Sequence, residues 1–79
     1  ILLVDELESK VNYIFKELNK NKVVIKTHPY LAAFLNKGIW SLKNKWAFKF
    51  FKSIKVEEMG SYSLTEYHFF DENQEEIVF

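Results

Sequence analysis

The opening residues place apolar side chains at a helical period. Val4, Leu7, Val11, Ile14, Phe15 and Leu18 follow the i, i+3, i+4, i+7 spacing of one helix face, and Asp5, Glu6, Glu8 and Lys10 fill the other. The acids stand early, where the helix dipole favours them. Asn19-Lys20-Asn21-Lys22 interrupts the pattern as a polar turn, and the β-branched run Val23-Val24-Ile25 predicts a short buried strand.

Thr27-His28-Pro29 predicts a helix start. Thr27 or His28 supplies the cap, and Pro29 fits the first turn, where its missing N–H costs nothing. A short helix is expected over 30–37, with Leu31, Phe34 and Leu35 inward and Gly38 closing it. A second is expected over 40–51. Its helical projection gathers Ile39, Trp40, Trp46, Ala47, Phe50 and Phe51 on one broad arc and sets Lys45, Lys49 and Lys52 opposite. Lys43 falls amid the apolar arc, so it must snorkel or mark an end of the buried stripe.

Residues 53–59 read as a strand and Gly60-Ser61 as a turn. A second strand is expected over 62–70, with Thr65, Tyr67 and Phe69 on one face and Leu64, Glu66, His68 and Phe70 on the other. Asp71-Glu72-Asn73-Gln74 is a polar turn, after which 75–79 returns as a short edge strand. The order α-β-α-α-β-β-(β) predicts an α+β fold, a small, mainly antiparallel sheet packed with two to three helices.

Composition narrows the class. A chain of 79 residues is a single small domain, near the lower limit for one hydrophobic core, but 48% apolar content with eight Phe, four Tyr and two Trp supplies that core. Cysteine is absent, which excludes disulfides, thiolate metal ligands and a Cys nucleophile, and favours a reducing, cytoplasmic setting. No apolar run approaches the roughly 20 residues that cross a bilayer, so no membrane partner is expected. The abrupt start at Ile1 reads as the edge of a piece taken from the C-terminal end of a longer protein.

The net charge of zero conceals a segregation. Residues 1–17 carry four acids and two Lys, residues 18–56 nine Lys and no acid, and residues 57–79 seven acids and no Lys. Such a chain carries a dipolar field. Every basic side chain among them is Lys.

Chemistry-bearing constellations are sparse. The two histidines are forty positions apart, with His28 expected at a strand end or cap and His68 half-buried in a strand. Glu57-Glu58 and Glu75-Glu76 are adjacent pairs, which a strand points to opposite faces, so neither forms a carboxylate dyad. Gly38 and Gly60 are isolated and make no phosphate loop. No catalytic or metal-binding residue is assigned. Lys45, Lys49 and Lys52 beside aromatics, with Lys20, Lys22, Lys26, Lys37 and Lys55 able to join them in space, have the form of a face that tracks RNA phosphates. The same pattern is the ordinary solvated side of an amphipathic helix, and both readings stand. Ile1, Leu2, Leu3 and Val4, apolar all round, are expected to dock on another surface.

The stretch from Val23 through Thr27-His28-Pro29-Tyr30 to Phe34-Leu35 resembles the end of the conserved region in the ribonuclease E/G family, where a β-branched strand runs into His-Pro and then an aromatic-Leu pair. The Lys45-Trp46 pair, the Lys-rich aromatic helix and Leu64-Thr65-Glu66-Tyr67-His68-Phe69-Phe70-Asp71 are similar to Bacteroidetes-type members. The helix over 1–19 would correspond to the one joining this end to the rest. One departure is Asn73-Gln74, where such members often carry an Asp-Gly-type turn.

The resemblance implies a C-terminal accessory domain concerned with subunit packing in an RNA-processing enzyme. The Mg²⁺-binding carboxylates and a zinc-linking Cys segment would lie upstream, so no cofactor is expected in these residues. Expected partners are the remainder of the parent, other subunits and single-stranded RNA. The rival expectations are a free-standing single-stranded RNA-binding module acting through the Lys face, and a protein-interaction domain unrelated to RNA.

Overall fold

Residues 2–37 and 42–79 are described by the computed structural model, apart from the side chains of Leu42, Phe48 and Phe50. Helix α1 spans Leu2–Lys16 and buries Val4, Leu7, Val11, Ile14 and Phe15, the stripe that the periodicity predicts. Asn19 ends it in the left-handed region (φ 54°), and the Lys20 N–H closes back on the Ile14 carbonyl at 3.3 Å. Asn tolerates that conformation better than most residues. Leu18, beyond the helix, lies in this turn and is exposed.

Strand β1 (Lys22–Thr27) alternates exposed and buried positions, with Val23, Ile25 and Thr27 inward. His28 then caps α2 (Pro29–Leu35), its Nδ1 accepting the Tyr30 N–H at 3.1 Å, with Pro29 in the first turn. Thr27, the other candidate cap, is fully buried instead, its hydroxyl donating to the His28 carbonyl. Leu31, Ala32 and Leu35 form the buried face of α2. Phe34, expected inward, is half exposed, because it lies about 100° round the helix from Leu35. The expected closure at Gly38 and the start of the apolar arc at Ile39 and Trp40 fall outside the described residues.

Helix α3 spans Leu42–Phe50, with Trp46 buried and Ala47 packed against the core. Lys43 is half-buried. Phe51 adopts φ 55°, and the Lys52 N–H reaches back to the Ala47 carbonyl at 3.1 Å, so the chain turns out of the helix there. Phe51 is 85% exposed and leaves the arc where the projection places it.

Strands β2 (Ser53–Glu58), β3 (Tyr67–Phe70) and β4 (Glu76–Ile77) complete a four-stranded sheet of order β2-β1-β3-β4. The fold is α+β, as expected, but the sheet is mixed. Its longest ladder, β1 with β2, is parallel from Lys22↔Ser53 to Thr27↔Glu58, while β1–β3 and β3–β4 are antiparallel. The α2–α3 connection between β1 and β2 is what permits this, since parallel neighbours need a long crossover. β3 is also shorter than expected. Residues 62–66 close local turns, with the Glu66 N–H on the Ser63 carbonyl and the Ser63 N–H on the Glu66 carboxylate, both at 3.1 Å.

One hydrophobic cluster joins all three helices to one face of the sheet through Val23, Ile25, Ile54, Phe69 and Ile77, with Val56 and Tyr67 packed against it. The opposite face carries Lys22, Val24 and Lys26 of β1, Ser53, Lys55 and Glu57 of β2, His68 and Phe70 of β3, and Glu76 of β4. Among the described residues, no helix covers it. Nor is any described helix long and apolar enough to cross a membrane.

Candidate nucleic-acid interface

Strand alternation determines what the open face presents. Every second residue of β1 points away from the helices, which sets Lys22, Val24 and Lys26 in a row down a central strand. The register places Lys55 beside Val24 on one side and Phe70 beside it on the other. The Lys26 ammonium sits 4.4 Å from the Phe70 ring centroid. These side chains, with Glu57, Asp71 and Glu72, line a hollow of about 180 Å³.

Two of the acids lining the hollow, Glu57 and Asp71, are engaged. Glu57 pairs with Lys55 at 3.3 Å, and Asp71 with Lys20 at 3.5 Å. One oxygen of Asp71 also accepts the Asn73 and Glu75 backbone N–H groups at 2.9 and 3.0 Å. The Glu75 backbone bond leads the set that holds the Asp71 carboxyl below its ordinary range, with the Asn73 bond and Lys20 adding to it. Cations crowd the β1–β2 side of the face, and acids the β3–β4 side.

The β3–β4 side has its own cluster. His68 Nε2 lies 3.0 Å from Glu66 and Nδ1 2.8 Å from Glu76, and the ring meets Tyr62 edge-on at 5.3 Å. The Glu66 bond, then the Glu76 bond, hold the imidazole pKa above its ordinary value. Because the two carboxylates occupy opposite nitrogens, they cannot converge with the ring on one ion. No described group of three or more His, Asp or Glu side chains could hold a metal.

Of the sequence-selected lysines, Lys52 parts from the other two. Lys45 is exposed on α3. Lys49 turns toward α1, 3.7 Å from Glu8, beside a broad open hollow that Asp5, Glu8, Ser9 and Asn12 also line. Lys52 follows the Phe51 turn and donates to the Asn21 side chain at 2.8 Å. Lys45 and Lys49 stay one turn apart on α3, so the helical projection fails only for Lys52, which the Phe51 turn takes out of the helix. Of the expected docking residues, Leu2 is 88% exposed, Leu3 packs against the core, and Val4 is a core residue at 8% exposure. Val4 is thus unavailable to a partner, because it lies on the buried stripe of α1. Ile1 lies outside the described residues.

The sequence offers Lys22 and Lys26 only as additions to the Lys face of α3, and does not join them to Phe70. The alternation of β1 was the available signal for the first two, but only the β1–β3 register brings Phe70 beneath Lys26. No family model matches this chain, and no curated protein or solved structure shows significant similarity to it.

Proposed function

We propose that this domain is the non-catalytic C-terminal accessory domain of a ribonuclease E/G-like endoribonuclease, acting in subunit assembly and in positioning single-stranded RNA. On this reading the domain is cytoplasmic, and the Mg²⁺-dependent cleavage belongs to residues upstream in the parent. Segment 23–35, which carries the resemblance, builds the centre of the fold: Val23, Ile25, Leu31 and Leu35 are core, and His28-Pro29 starts α2.

The observation that carries the RNA half is the open sheet face, where Lys26 lies over Phe70 and Lys22 continues the same row. Lysines neutralise phosphates as point charges, and an aromatic ring offers any base a stacking surface. Without Arg, base-edge readout is weak, so recognition follows the backbone and falls steeply with salt.

The test is fluorescence anisotropy of a labelled single-stranded oligouridylate at low salt. Binding by the 79-residue chain, weakened at least about tenfold by K22E/K26E and again by F70A, supports the reading. No binding at low salt, or binding that these changes leave intact, overturns RNA positioning by this face. An upstream sequence without a pair of metal-binding Asp residues would overturn the parentage.

A further inference from the structure

β2 is an edge strand whose outer side is self-complementary. The Ser53 N–H donates to the Asn21 carbonyl at 3.1 Å and the Met59 N–H to the Thr27 carbonyl at 2.7 Å, both toward β1. Alternate residues of a strand point their backbone groups the same way, so Lys55 and Glu57 also face β1. Ile54, Val56 and Glu58 therefore aim their N–H and C=O groups outward. Among the described residues, β2 pairs with β1 alone. A six-residue edge of this kind is a template for another strand.

We infer that β2 joins a second copy of this chain in an antiparallel pair centred on Val56, making one continuous sheet across two domains. In that register Val56 faces Val56, and Ile54 faces Glu58 of the second copy. Those are the outward-pointing residues, so each donates its N–H and accepts at its C=O. Lys55 then stands opposite Glu57 of the second copy, at the close spacing of a non-hydrogen-bonded pair. Lys55 and Glu57 already pair at 3.3 Å within one strand, so the dimer closes a square of alternating charge.

The charges also reject the alternatives. A slip of two residues one way sets Lys55 against Lys55, and the other way Glu57 against Glu57, each repulsive. A slip of one residue sets core-side residues of one copy against open-face residues of the other and misaligns the outward N–H groups. Two-fold symmetry closes the contact at two copies, so the β2 edge is used up and cannot propagate.

This rests on the assembly half of the reading above and names its surface. Lys22 and Lys26 lie on β1 and take no part in it, so RNA binding can fail while the edge contact stands.

The test is sedimentation equilibrium of the 79-residue chain up to about 1 mM, a range in which a contact of about −4 kcal/mol still forms a dimer. The expected result is a monomer–dimer equilibrium. V56P removes an outward N–H and leaves the β1 ladder its donors, so it should abolish the dimer with an unchanged circular dichroism spectrum. K55E and E57K should each weaken association at least tenfold, and K55E/E57K should restore it. A wild-type monomer at 1 mM overturns the inference. So does a dimer indifferent to a folded V56P, which would move assembly to another surface. If V56P does not fold, failure of K55E/E57K to restore what the single changes remove overturns it equally.

Discussion

His68 Nδ1 lies 2.8 Å from a Glu76 carboxylate oxygen, and this contact ties β3 diagonally to β4. With Glu66 on Nε2, both ring nitrogens face a carboxylate, an arrangement that only the doubly protonated imidazolium satisfies with two donated bonds. The raised folded-state pKa makes the clamp's contribution complete below the ordinary value of 6.5, and it is lost as pH rises through the folded value. Glu66 is lowered from 4.5, first by its bond to His68 and then by the Ser63 N–H, so its part is present above 4.5 and lost as pH falls through its folded value. Denaturation midpoints should therefore be highest between these two limits and decline on the alkaline side. H68Q should flatten that decline, and an H68Q profile matching the wild type would dismiss the clamp.

Tyr67 joins α1 to the sheet. Its hydroxyl donates to Glu6 and accepts from Lys10 at 2.8 Å, and the Lys10 ammonium lies 4.9 Å from its ring centroid. Burial and the Glu6 bond push the phenol pKa up, against the effect of Lys10. Y67F keeps the ring packing and deletes both bonds, at an expected cost of about 0.5–1.5 kcal/mol. Urea titration at neutral pH measures it; no loss would mean that solvent replaces the pair.

The turn before β4 contains Gln74 at φ 63°, where a Cβ is disfavoured. It stands in the segment where the resembling family often carries an Asp-Gly-type turn. Q74G should raise stability by up to about 1 kcal/mol, the strain relieved exceeding the added chain entropy. A lower melting temperature for Q74G would mean that the side chain supplies more than its strain costs.

Phe69 is 1% exposed and contacts Tyr67 and Phe79 edge-on at 5.6 and 5.5 Å. F69A should cost about 3–5 kcal/mol, a large share of the stability of a domain this small. The expected outcome is a substantially unfolded chain at 37 °C by circular dichroism. A cooperative melt close to wild type would show that the core recloses over the gap.

α1 is legible because its apolar period runs long enough to be unambiguous, and β1 because Val23-Val24-Ile25 is a compact β-branched run. β3 was read too long. The apolar alternation of 62–64 changes phase at Thr65-Glu66 before Tyr67 and Phe69, and Ser63 and Glu66 satisfy each other locally and take 62–66 out of the strand. Lys52 was placed by a projection that assumed an unbroken helix, which Phe51 ends. Strand neighbours lie beyond any local pattern. The parallel β1–β2 ladder, Phe70 under Lys26 and Glu76 beside His68 all depend on register between segments far apart in the chain.

The parallel ladder also governs how the molecule comes into being. Asn21 and Lys52 meet across 31 positions, and Lys10 and Tyr67 across 57. Helices can flicker into place early, but β1 lies between the late strands β2 and β3. Its inward residues are buried only when both have arrived. During synthesis the nascent chain therefore holds an unfinished core until the residues of β3 have left the ribosome. Folding is slower than for a helical bundle of this length, and it comes close to all-or-none in chain length.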